Sequence, residues 1–455
     1  MDVIVIGGGM AGLTAASELR ALGHCPIVLE AQNRVGGRVH TLRDFAPGLY
    51  AEAGAMRIPR SHDLTIGLCE KYGLELRPFI TGNQRGLVHV GGQRLTVEEA
   101  TREPHRMSFQ LADHENGRTA DQLWEEAVRD IRDLLTLEGP SAWESIAAQY
   151  DQYSLHEFFV LRGWSPGAIE MYSVLNFLES DLHMSCVEVL REDLGGYYGD
   201  MVEIVGGMDR LPRAMYRELQ SDVRLGTEVF AIRQEDNGVE VRYKTEAGRF
   251  SVRGDYVLCT LPFPVLRSVE AEPAWSRAKQ KAIRQLNYAA STKVLLQVRR
   301  RVWEDDDGIF GGATVTDLPI RRMNYPTPDP DNERGVLLAS YTWSQDALQW
   351  GAMDPETRLE EALEDVGRIH PGVRDVFEVG ASYAWYSDRY ARGAFALFAP
   401  GQLSELHADV MEPEGRVHFA GEHCSLFHAW IQGAVESGLR EARAIDARGA
   451  EKRTG

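Results

Sequence analysis

The chain has 455 residues, of which 44% are hydrophobic and 26% charged, and its formal net charge is -19 at pH 7. This length predicts two or three domains, and the composition is that of a folded globular protein. The negative charge argues against nucleic acid and anionic membranes as partners, because both require clustered basic surface. No uninterrupted apolar run is long enough to span a membrane.

The start of the chain and its cysteines favour a cytoplasmic protein. A strand-like segment, VIVI, follows Met1 almost at once, so we expect no signal peptide. The five cysteines are scattered and form no CxxC pair, which indicates neither a disulfide framework nor a zinc site. HExxH, GxSxG and Walker-type motifs are absent from the sequence, and we predict no metal site.

The chain begins with a predicted strand, helix and second strand. VIVI (3–6) predicts a buried strand and GGGMAG a tight turn. The spacing of Ala15, Leu19 and Leu22 predicts a helix, which Gly23 ends, and IVLE (27–30) predicts the next strand.

The pattern is mixed from about 41 to 100 and becomes helical and charged from about 101 to 195. Within the helical part, ADQLWEEAVRDIRDLL places four apolar residues near one helix face; these are Leu123, Val128, Ile131 and Leu134. Strand and helix signals alternate again after Gly206.

Several later segments predict strands and one predicts a long helix. VEVRY (239–243) alternates apolar and polar residues, and YVLCTLP (256–262) is typical of a buried strand. Residues 286–410 mix strands and turns. VHFAGEH (417–423) predicts a strand and a turn, followed by a helix from about Gln432 to the mid-440s.

The first turn carries a dinucleotide-binding pattern. Gly7, Gly9 and Gly12 form GxGxxG between the first strand and the first helix, where backbone N–H groups and the helix dipole favour a pyrophosphate. Glu30 follows Gly12 by 18 residues and ends the second strand, where an acid accepts hydrogen bonds from ribose hydroxyls. The alternative is a glycine-rich turn without a ligand.

GxGxxG alone does not separate NAD from FAD, but RVGGR (34–38) adds a second glycine pair and the cation Arg38. Together with FAGEHCSLFHAWIQGAVESG (419–438), these motifs resemble the flavin amine oxidase family. The resemblance implies a bound FAD, with Glu422 on the ribityl chain, Val229 on adenine and the C-terminal helix directed at the isoalloxazine ring. For that helix the alternative is ordinary core packing.

The implied FAD-binding residues lie in six separate stretches of the chain. They are Gly7, Gly9, Met10, Ala11, Gly12, Glu30, Ala31, Arg34, Gly36, Gly37, Arg38, Met56, Arg57, Val229, Trp385, Gly421, Glu422, Trp430, Ile431, Gln432 and Ala434. Family members that tether their flavin use a cysteine upstream of the C-terminal glycine-rich turn. GAFALFAP (393–400) contains none, so the expected FAD is noncovalent.

An arginine stands inside an apolar segment, GAMRIP (54–59), and a buried guanidinium requires an anionic partner. Within the family the chain resembles L-amino acid oxidases most, and the resemblance implies that Arg57 binds the substrate carboxylate. Many relatives have proline where this chain has Ala55, which affects rigidity more than chemistry. The alternative is an internal salt bridge, for example to Glu52.

The same resemblance implies the rest of the substrate site. Tyr325 supports the carboxylate, Lys293 holds a water near the flavin N5 atom, and Trp430 and Ala429 border the amino group. Phe395 falls where the family varies its side-chain pocket, so we expect a large neutral or aromatic substrate side chain. A half-buried aromatic and an edge-strand lysine are the alternatives for Tyr325 and Lys293.

The predicted activity is the FAD-dependent oxidation of L-amino acids by dioxygen to 2-oxo acid, ammonia and hydrogen peroxide. The alternatives are a tryptophan 2-monooxygenase-like oxidative decarboxylation, an amine or polyamine oxidase, and a flavin-binding scaffold without turnover. A homodimer or a higher homo-oligomer is compatible with the family.

The expected fold is α/β: a Rossmann-type FAD-binding domain, a mixed-sheet substrate domain and a helical insertion. The FAD-binding domain is expected from 1–40, 207–285 and 411–455, the substrate domain from 41–100 and 286–410, and the helical domain from 101–206.

Overall fold

The computed structural model describes residues 1–329 and 332–454, so residue 455 of the predicted FAD-binding domain lies outside it. Its strands, in chain order, are β1 (Asp2–Ile6), β2 (Cys25–Leu29), β3 (Thr41–Leu42), β4 (Ala51–Glu52), β5 (Ile58–Pro59), β6 (Leu76–Pro78), β7 (Leu87–Val90), β8 (Gln93–Thr96), β9 (Met201–Ile204), β10 (Val223–Arg224), β11 (Glu228–Glu235), β12 (Gly238–Thr245), β13 (Gly248–Gly254), β14 (Tyr256–Cys259), β15 (Glu270–Glu272), β16 (Tyr288–Ala289), β17 (Ser291–Val298), β18 (Ala313–Thr316), β19 (Arg322–Asn324), β20 (Gly335–Trp343), β21 (Phe377–Ala384), β22 (Phe395–Ala396) and β23 (Val417–Phe419).

The α-helices lie between and after these strands. In chain order they are α1 (Met10–Ala21), α2 (Asp63–Lys71), α3 (Val97–Arg102), α4 (Ala120–Ala127), α5 (Arg129–Glu138), α6 (Ala142–Tyr150), α7 (Leu155–Leu161), α8 (Pro166–Leu175), α9 (Cys186–Leu194), α10 (Arg210–Leu219), α11 (Phe263–Leu266), α12 (Arg277–Gln285), α13 (Val302–Asp305), α14 (Ser344–Ala352), α15 (Pro355–Ile369), α16 (Val373–Val376), α17 (Gln402–Met411) and α18 (Ile431–Thr454).

A five-stranded parallel sheet joins the two ends of the chain. Its order is β10-β2-β1-β14-β23, so the first strand pairs with β14 in the register Val3↔Tyr256. The apolar run of β1 is buried on both faces, as expected for the centre of a parallel sheet. Helices α1 and α18 pack together over this sheet, which closes the core around the first turn.

The predicted βαβ opening and a strand in each of the segments 239–243, 256–262 and 417–423 are confirmed, although β14 ends at Cys259, before the predicted end. The helices differ from the prediction in two places. Leu22, expected on the buried face of the first helix, follows the end of α1 and is 39% exposed. The last helix begins at Ile431, one residue before the predicted start, and extends to Thr454.

A seven-stranded, mostly antiparallel sheet forms the second layer. Its order is β21-β17-β20-β19-β18-β7-β8, and among these pairs β18 and β7 are parallel. Strand β17 lies between two long neighbours, and every residue from Ser291 to Val298 is buried. Lys293 is therefore a buried cation in a central strand, not a lysine at a sheet edge.

The segment 120–194 is helical, as predicted, but its first helix is broken. Val128 leaves the helical conformation with φ −105° and ψ 4°, so α4 and α5 are separate helices. Leu123, Val128 and Ile131 nevertheless face one core, which is filled by aromatic side chains such as Phe158. The apolar pattern identified the buried face correctly, although the helix breaks at Val128.

The predicted division into three domains stays a prediction. The two large sheets draw their strands from the predicted FAD-binding and substrate pieces, respectively. A three-stranded sheet, however, pairs β9 from the predicted helical domain with β5 and β6 from the substrate domain. None of the helices in the described part of the chain combines the length and the apolar composition needed to cross a bilayer.

Candidate active site

A large cavity is lined by residues of both main sheets and by the loops between them. Glu30 lines it at the end of β2 in the parallel sheet, and Val229 lines it from β11, which belongs to a separate four-stranded sheet, β13-β12-β11-β15. Lys293 and Tyr341 line it from the seven-stranded sheet, and Trp430 lines it just before α18. The cavity thus connects the glycine-rich turn with the segment that carries the unpaired arginine.

The glycine-rich turn approaches its neighbours too closely for larger residues. A Cβ on Gly12 would lie 1.9 Å from the carbonyl oxygen of Gly7, and one on Gly7 would lie 2.6 Å from Thr260 Oγ1. Gly7 also has a φ of +106°, a conformation that L side chains rarely adopt. Helix α1 has no side-chain cap at its N-terminus, so the first N–H groups are free for an anionic ligand.

Glu30 is buried and lines the cavity with both oxygens already in contact with backbone. Its Oε2 accepts from the N–H of Gly8 at 2.6 Å and its Oε1 from the N–H of Gln32 at 2.8 Å. Burial raises the pKa of this carboxyl, although the backbone donors and Arg34 oppose the rise. The carboxyl is fixed at the strand end, where its remaining acceptor capacity faces the cavity.

Arg38 and Glu422 form a charged pair in another part of the cavity wall. Arg38 donates to Glu422 Oε1 at 2.8 Å, and the N–H of Ala396 donates to the same oxygen at 3.2 Å. Burial pushes the pKa of Glu422 upward, but Arg38 and His428 outweigh that effect and the pKa lies below its usual value. The pair fixes the RVGGR loop (34–38) against the FAGE turn (419–422), and both Arg38 and Glu422 line the cavity.

Most of the FAD-binding residues expected from the sequence line this cavity. They are Gly7, Gly9, Met10, Ala11, Glu30, Ala31, Gly36, Gly37, Arg38, Met56, Arg57, Val229, Trp385, Gly421, Glu422, Trp430, Ile431 and Ala434. The positions of Ile431 and Ala434 show that the N-terminal turn of α18 faces the cavity, as predicted.

Three expected cofactor residues do not line it. Gly12 acts through close packing behind the turn. Arg34 donates from Nη1 to the carbonyl oxygen of Gly37 at 2.9 Å and supports that loop. The side chain of Gln432 points to α2, where it accepts from the N–H of Thr65 and donates to Asp63 at 2.7 Å. The sequence pattern could not give the direction of these side chains.

Arg57 lines the cavity without a carboxylate partner among the described residues. Its guanidinium carbon lies 5.8 Å from the ring centre of Phe79 and 5.7 Å from that of Tyr198. Glu52, the suspected salt-bridge partner, instead accepts from the Thr41 hydroxyl and from the N–H of Met208 at 2.8 Å each. The alternative prediction, an internal salt bridge from Arg57 to Glu52, is therefore wrong. The guanidinium is available to an anionic ligand in the cavity.

Lys293 lines the cavity next to this segment. Its Nζ donates to the carbonyl oxygens of Gly54 at 2.7 Å and Glu52 at 3.2 Å, and it lies 4.8 Å from the ring centre of Tyr341. Burial lowers the pKa of Lys293 to about 7, with Glu52 opposing and Arg57 adding to the effect. The amine can therefore lose its proton near neutral pH.

Tyr325 corrects the sequence-based site. It is 3% exposed in the core of the seven-stranded sheet and does not line the cavity. Its hydroxyl lies 2.6 Å from Thr314 Oγ1 and 2.8 Å from His370 Nε2. Tyr341, directly opposite Lys293 in the pairing of β17 with β20, lines the cavity instead.

Glu192 and Trp343 also line the cavity and were missed, because nothing in their local sequence marks them. Glu192 comes from the helical segment, and Trp343 ends β20 beside the expected Phe395 and Ala429. Tyr198, in the YYG stretch (197–199), lines the cavity as well. A helical acid or a strand-end aromatic is usually structural, so only the folded chain shows that these residues lie at the site.

Arg322 adds a second guanidinium near the first. It lies on β19 and its side chain makes one hydrogen bond, to Asn324 Oδ1 at 3.3 Å, with no carboxylate of the described residues within salt-bridge distance. Burial and the charge of Arg57 together lower its pKa to about 10. Arg322 does not itself line the cavity, but with Arg57 it places two cations near this end, where Glu192 is the neighbouring acid. The cations favour an anionic ligand there.

Residues 10–446 match the family model described as flavin containing amine oxidoreductase. The chain is a member of the flavin-containing amine oxidoreductase family. A putative L-amino-acid oxidase, YobN, of Bacillus subtilis (strain 168) is 37% identical to this oxidoreductase over 98% of the chain and 94% of the relative. L-amino-acid oxidases of Demansia vestigiata and Siganus canaliculatus are 35% and 36% identical, over 98% of this chain and 86% and 85% of theirs.

Solved structures agree on the fold of this flavin-containing oxidoreductase. A putrescine oxidase triple mutant matches with a TM-score of 0.82 at 22% identity, and cyclohexylamine oxidase from Brevibacterium oxydans IH-35A matches with 0.78 at 20%. Each match covers 98% of this chain and 99% of the other. These neighbours confirm the predicted flavin amine oxidase fold.

FAD is the cofactor that the family implies, and the residues of this chain fit it. The uncapped start of α1 at Gly9 leaves backbone N–H groups free for a pyrophosphate, and Glu30 directly follows the adjacent strand. No cysteine is among the residues that line the cavity in the described part of the chain. No group of three or more His, Cys, Asp or Glu side chains in that part could hold a metal ion.

Proposed function

We propose that the protein is an FAD-dependent oxidase that deaminates L-amino acids and reduces dioxygen to hydrogen peroxide. Membership of the flavin-containing amine oxidoreductases and the L-amino-acid oxidase relatives support this activity. The observation that best supports an amino acid as the substrate is the guanidinium of Arg57, which lies in the cavity wall without a carboxylate partner among the described residues. A simple amine has no group that would pair with it.

The substrate carboxylate would lie on Arg57 in a bidentate ion pair, with the Tyr341 hydroxyl as a second donor. Burial raises the pKa of Tyr341, so the phenol keeps its proton and can donate. The positive charge of Arg322 favours the same anion. This arrangement fixes the carboxylate end of the amino acid. The opposite cavity wall then sets the direction of its Cα–H bond.

When bound, FAD accepts the electrons that leave the substrate Cα–H and amine, and passes them to dioxygen. The substrate amine must be neutral for this transfer, and the excess of cations around Arg57 disfavours an ammonium ion there. Lys293, whose pKa lies near 7, can lose its proton near neutral pH and then hold a water by accepting a hydrogen bond from it. The imino acid product then hydrolyses to a 2-oxo acid and ammonia.

Large hydrophobic or aromatic side chains are the proposed substrates. Trp343 and Phe395 contact each other edge to face with ring centres 5.4 Å apart, and both line the cavity. Tyr341 and Trp430 extend this aromatic wall. Such a surface favours apolar and aromatic groups through area burial and ring contacts.

A noncovalently held FAD, a cytoplasmic location and a homodimer or higher homo-oligomer complete the proposal. The first follows from the absence of a suitable cysteine in GAFALFAP. The location is supported by the five cysteines, all unpaired in the structure.

Arg57→Ala tests the activity. We expect a loss of about 3–5 kcal/mol in kcat/KM, or two to four decades, measured as peroxide release across the common L-amino acids. Arg60→Ala is the matched control, because Arg60 is exposed and pairs with Asp200 at 2.9 Å. Near-normal turnover in Arg57→Ala would contradict the proposal. Turnover of amines without a carboxylate, or an amide product with carbon dioxide, would favour the amine oxidase or monooxygenase alternatives.

A further inference from the structure

Helix α9 holds the segment that immediately precedes α18. Glu188 Oε1 lies 2.8 Å from His428 Nδ1, and Trp430 Nε1 donates to Glu192 Oε1 at 2.8 Å. The two acids are four residues apart, so they lie on one face of the helix, one turn apart. A single rigid helix therefore binds both sides of Ala429.

Ala429 has an unfavourable backbone conformation between these two bonds. Its φ is +65°, in the left-handed region where residues other than glycine are uncommon. Its N–H donates to Glu422 Oε2 at 3.2 Å, and both Ala429 and Trp430 line the cavity. Such a conformation persists only where the surrounding contacts hold it.

We propose that Glu188 is a positioning residue that, with Glu192, holds the 428–430 segment in the conformation that places Ala429 and Trp430 in the substrate wall. The proposal rests on the amino-acid oxidase function for its kinetic readout. Glu188 itself does not line the cavity, so it acts through His428. The buried acid also accepts from the N–H of Phe398 at 2.8 Å, which fixes its carboxyl.

Charge strengthens the hydrogen bond between Glu188 and His428. Burial lowers the pKa of His428, but the Glu188 carboxylate outweighs burial and the pKa lies above the ordinary value. A protonated imidazole and a carboxylate form a charge-assisted hydrogen bond, which is stronger than a neutral one. The contact therefore has the strength to hold a disfavoured backbone conformation next to the cofactor site.

A second buried histidine–glutamate pair provides a matched control. His418 Nδ1 lies 2.8 Å from Glu441 Oε2, the same separation as in the Glu188 pair, and neither residue lines the cavity. Both pairs are buried, so Glu441→Gln and Glu188→Gln each remove a carboxylate from a buried histidine, although Glu441 also pairs with Arg440 at 2.9 Å. If Glu188 had only a structural role, Glu188→Gln and Glu441→Gln would have similar effects on Tm, KM and the flavin spectrum.

The experiment compares the two variants as FAD-loaded enzymes. We expect both to lower Tm. Glu188→Gln alone should raise the KM for L-phenylalanine about 5- to 20-fold with kcat within about 3-fold, and should shift the visible spectrum of the bound flavin. Unchanged KM and spectrum in Glu188→Gln, or equal changes in Glu441→Gln, would overturn the proposal.

His428→Asn is the second variant, since it keeps a short amide donor but no charge. The same KM and spectral changes are expected, and they test the proposal if Glu188→Gln does not fold. If the wild-type enzyme proves inactive on amino acids, the proposed function fails. The flavin spectra of Glu188→Gln and Glu441→Gln then decide the positioning role separately.

Discussion

Lys293 donates a hydrogen bond to the carbonyl oxygen of Gly54 at 2.7 Å, in the same segment that carries the free Arg57. The lysine thus orders the backbone of GAMRIP while its own amine stays at the cavity. A buried amine thus supports the segment that presents a partly exposed guanidinium. The arrangement is costly unless the lysine is neutral, and the low pKa of Lys293 follows from that cost.

The first prediction concerns Lys293 and the pH dependence of stability. Its pKa of about 7 lies below the value of about 10.4 of an exposed lysine, so between these values the unfolded chain binds more protons. Stability should therefore rise with pH in this window, by up to about 1.4 kcal/mol per pH unit. The added stability is fully present above about pH 10.4, is lost as pH falls from there to about 7, and changes little below 7. Lys293→Met should lack this slope in urea unfolding at pH 6–10.

Lys281→Met is the control for that prediction, because Lys281 is exposed and pairs with Glu405. It should keep the wild-type slope. Lys279, whose pKa burial lowers to about 8, is present in all three proteins and cancels in the comparison. Equal slopes in wild type and Lys293→Met would show that the lysine is charged in the folded state.

The second prediction concerns the glycine-rich turn. Gly12→Ala would place a Cβ 1.9 Å from the carbonyl oxygen of Gly7, and the turn must move away from the phosphate-binding geometry. We expect the purified variant to carry less than about a tenth of the wild-type FAD, measured from the flavin absorbance per protein. Gly67→Ala, in an exposed and open part of α2, should keep full FAD and gain about 0.5–1 kcal/mol of stability. Full flavin content in Gly12→Ala would contradict the assigned role.

The third prediction separates two tyrosines that the sequence does not distinguish. Tyr341→Phe should reduce kcat/KM about 10- to 100-fold by removing a hydrogen bond to a charged carboxylate, with little change in stability. Tyr325→Phe should lose about 1–3 kcal/mol of unfolding free energy, because His370 and Thr314 lose their buried partner, while kcat/KM stays within about 3-fold. Steady-state kinetics and urea unfolding of both variants measure the difference. The reverse result would restore Tyr325 to the substrate site.

Short segments of sequence were sufficient to identify the features that depend only on residues close together in the chain. The GxGxxG turn, the acid at the end of β2 and the cation in GAMRIP were all identified from short segments. A tight turn needs glycine whatever surrounds it, and an arginine among apolar residues signals an anionic partner in any fold. These features survive folding unchanged, so they could be read in advance.

The tertiary structure alone decided which distant side chains meet at the cavity. Tyr341 reaches it because β20 pairs with β17 and sets it opposite Lys293, whereas Tyr325 follows β19 and turns into the core. Glu192 reaches it because α9 packs against the turn before α18. Strand register and helix packing join residues far apart in the chain, and a shift of one residue would reverse the face that each strand presents. The sequence by itself determined the glycine-rich turn and the position of the cation Arg57, while long-range packing determined the cavity walls around them.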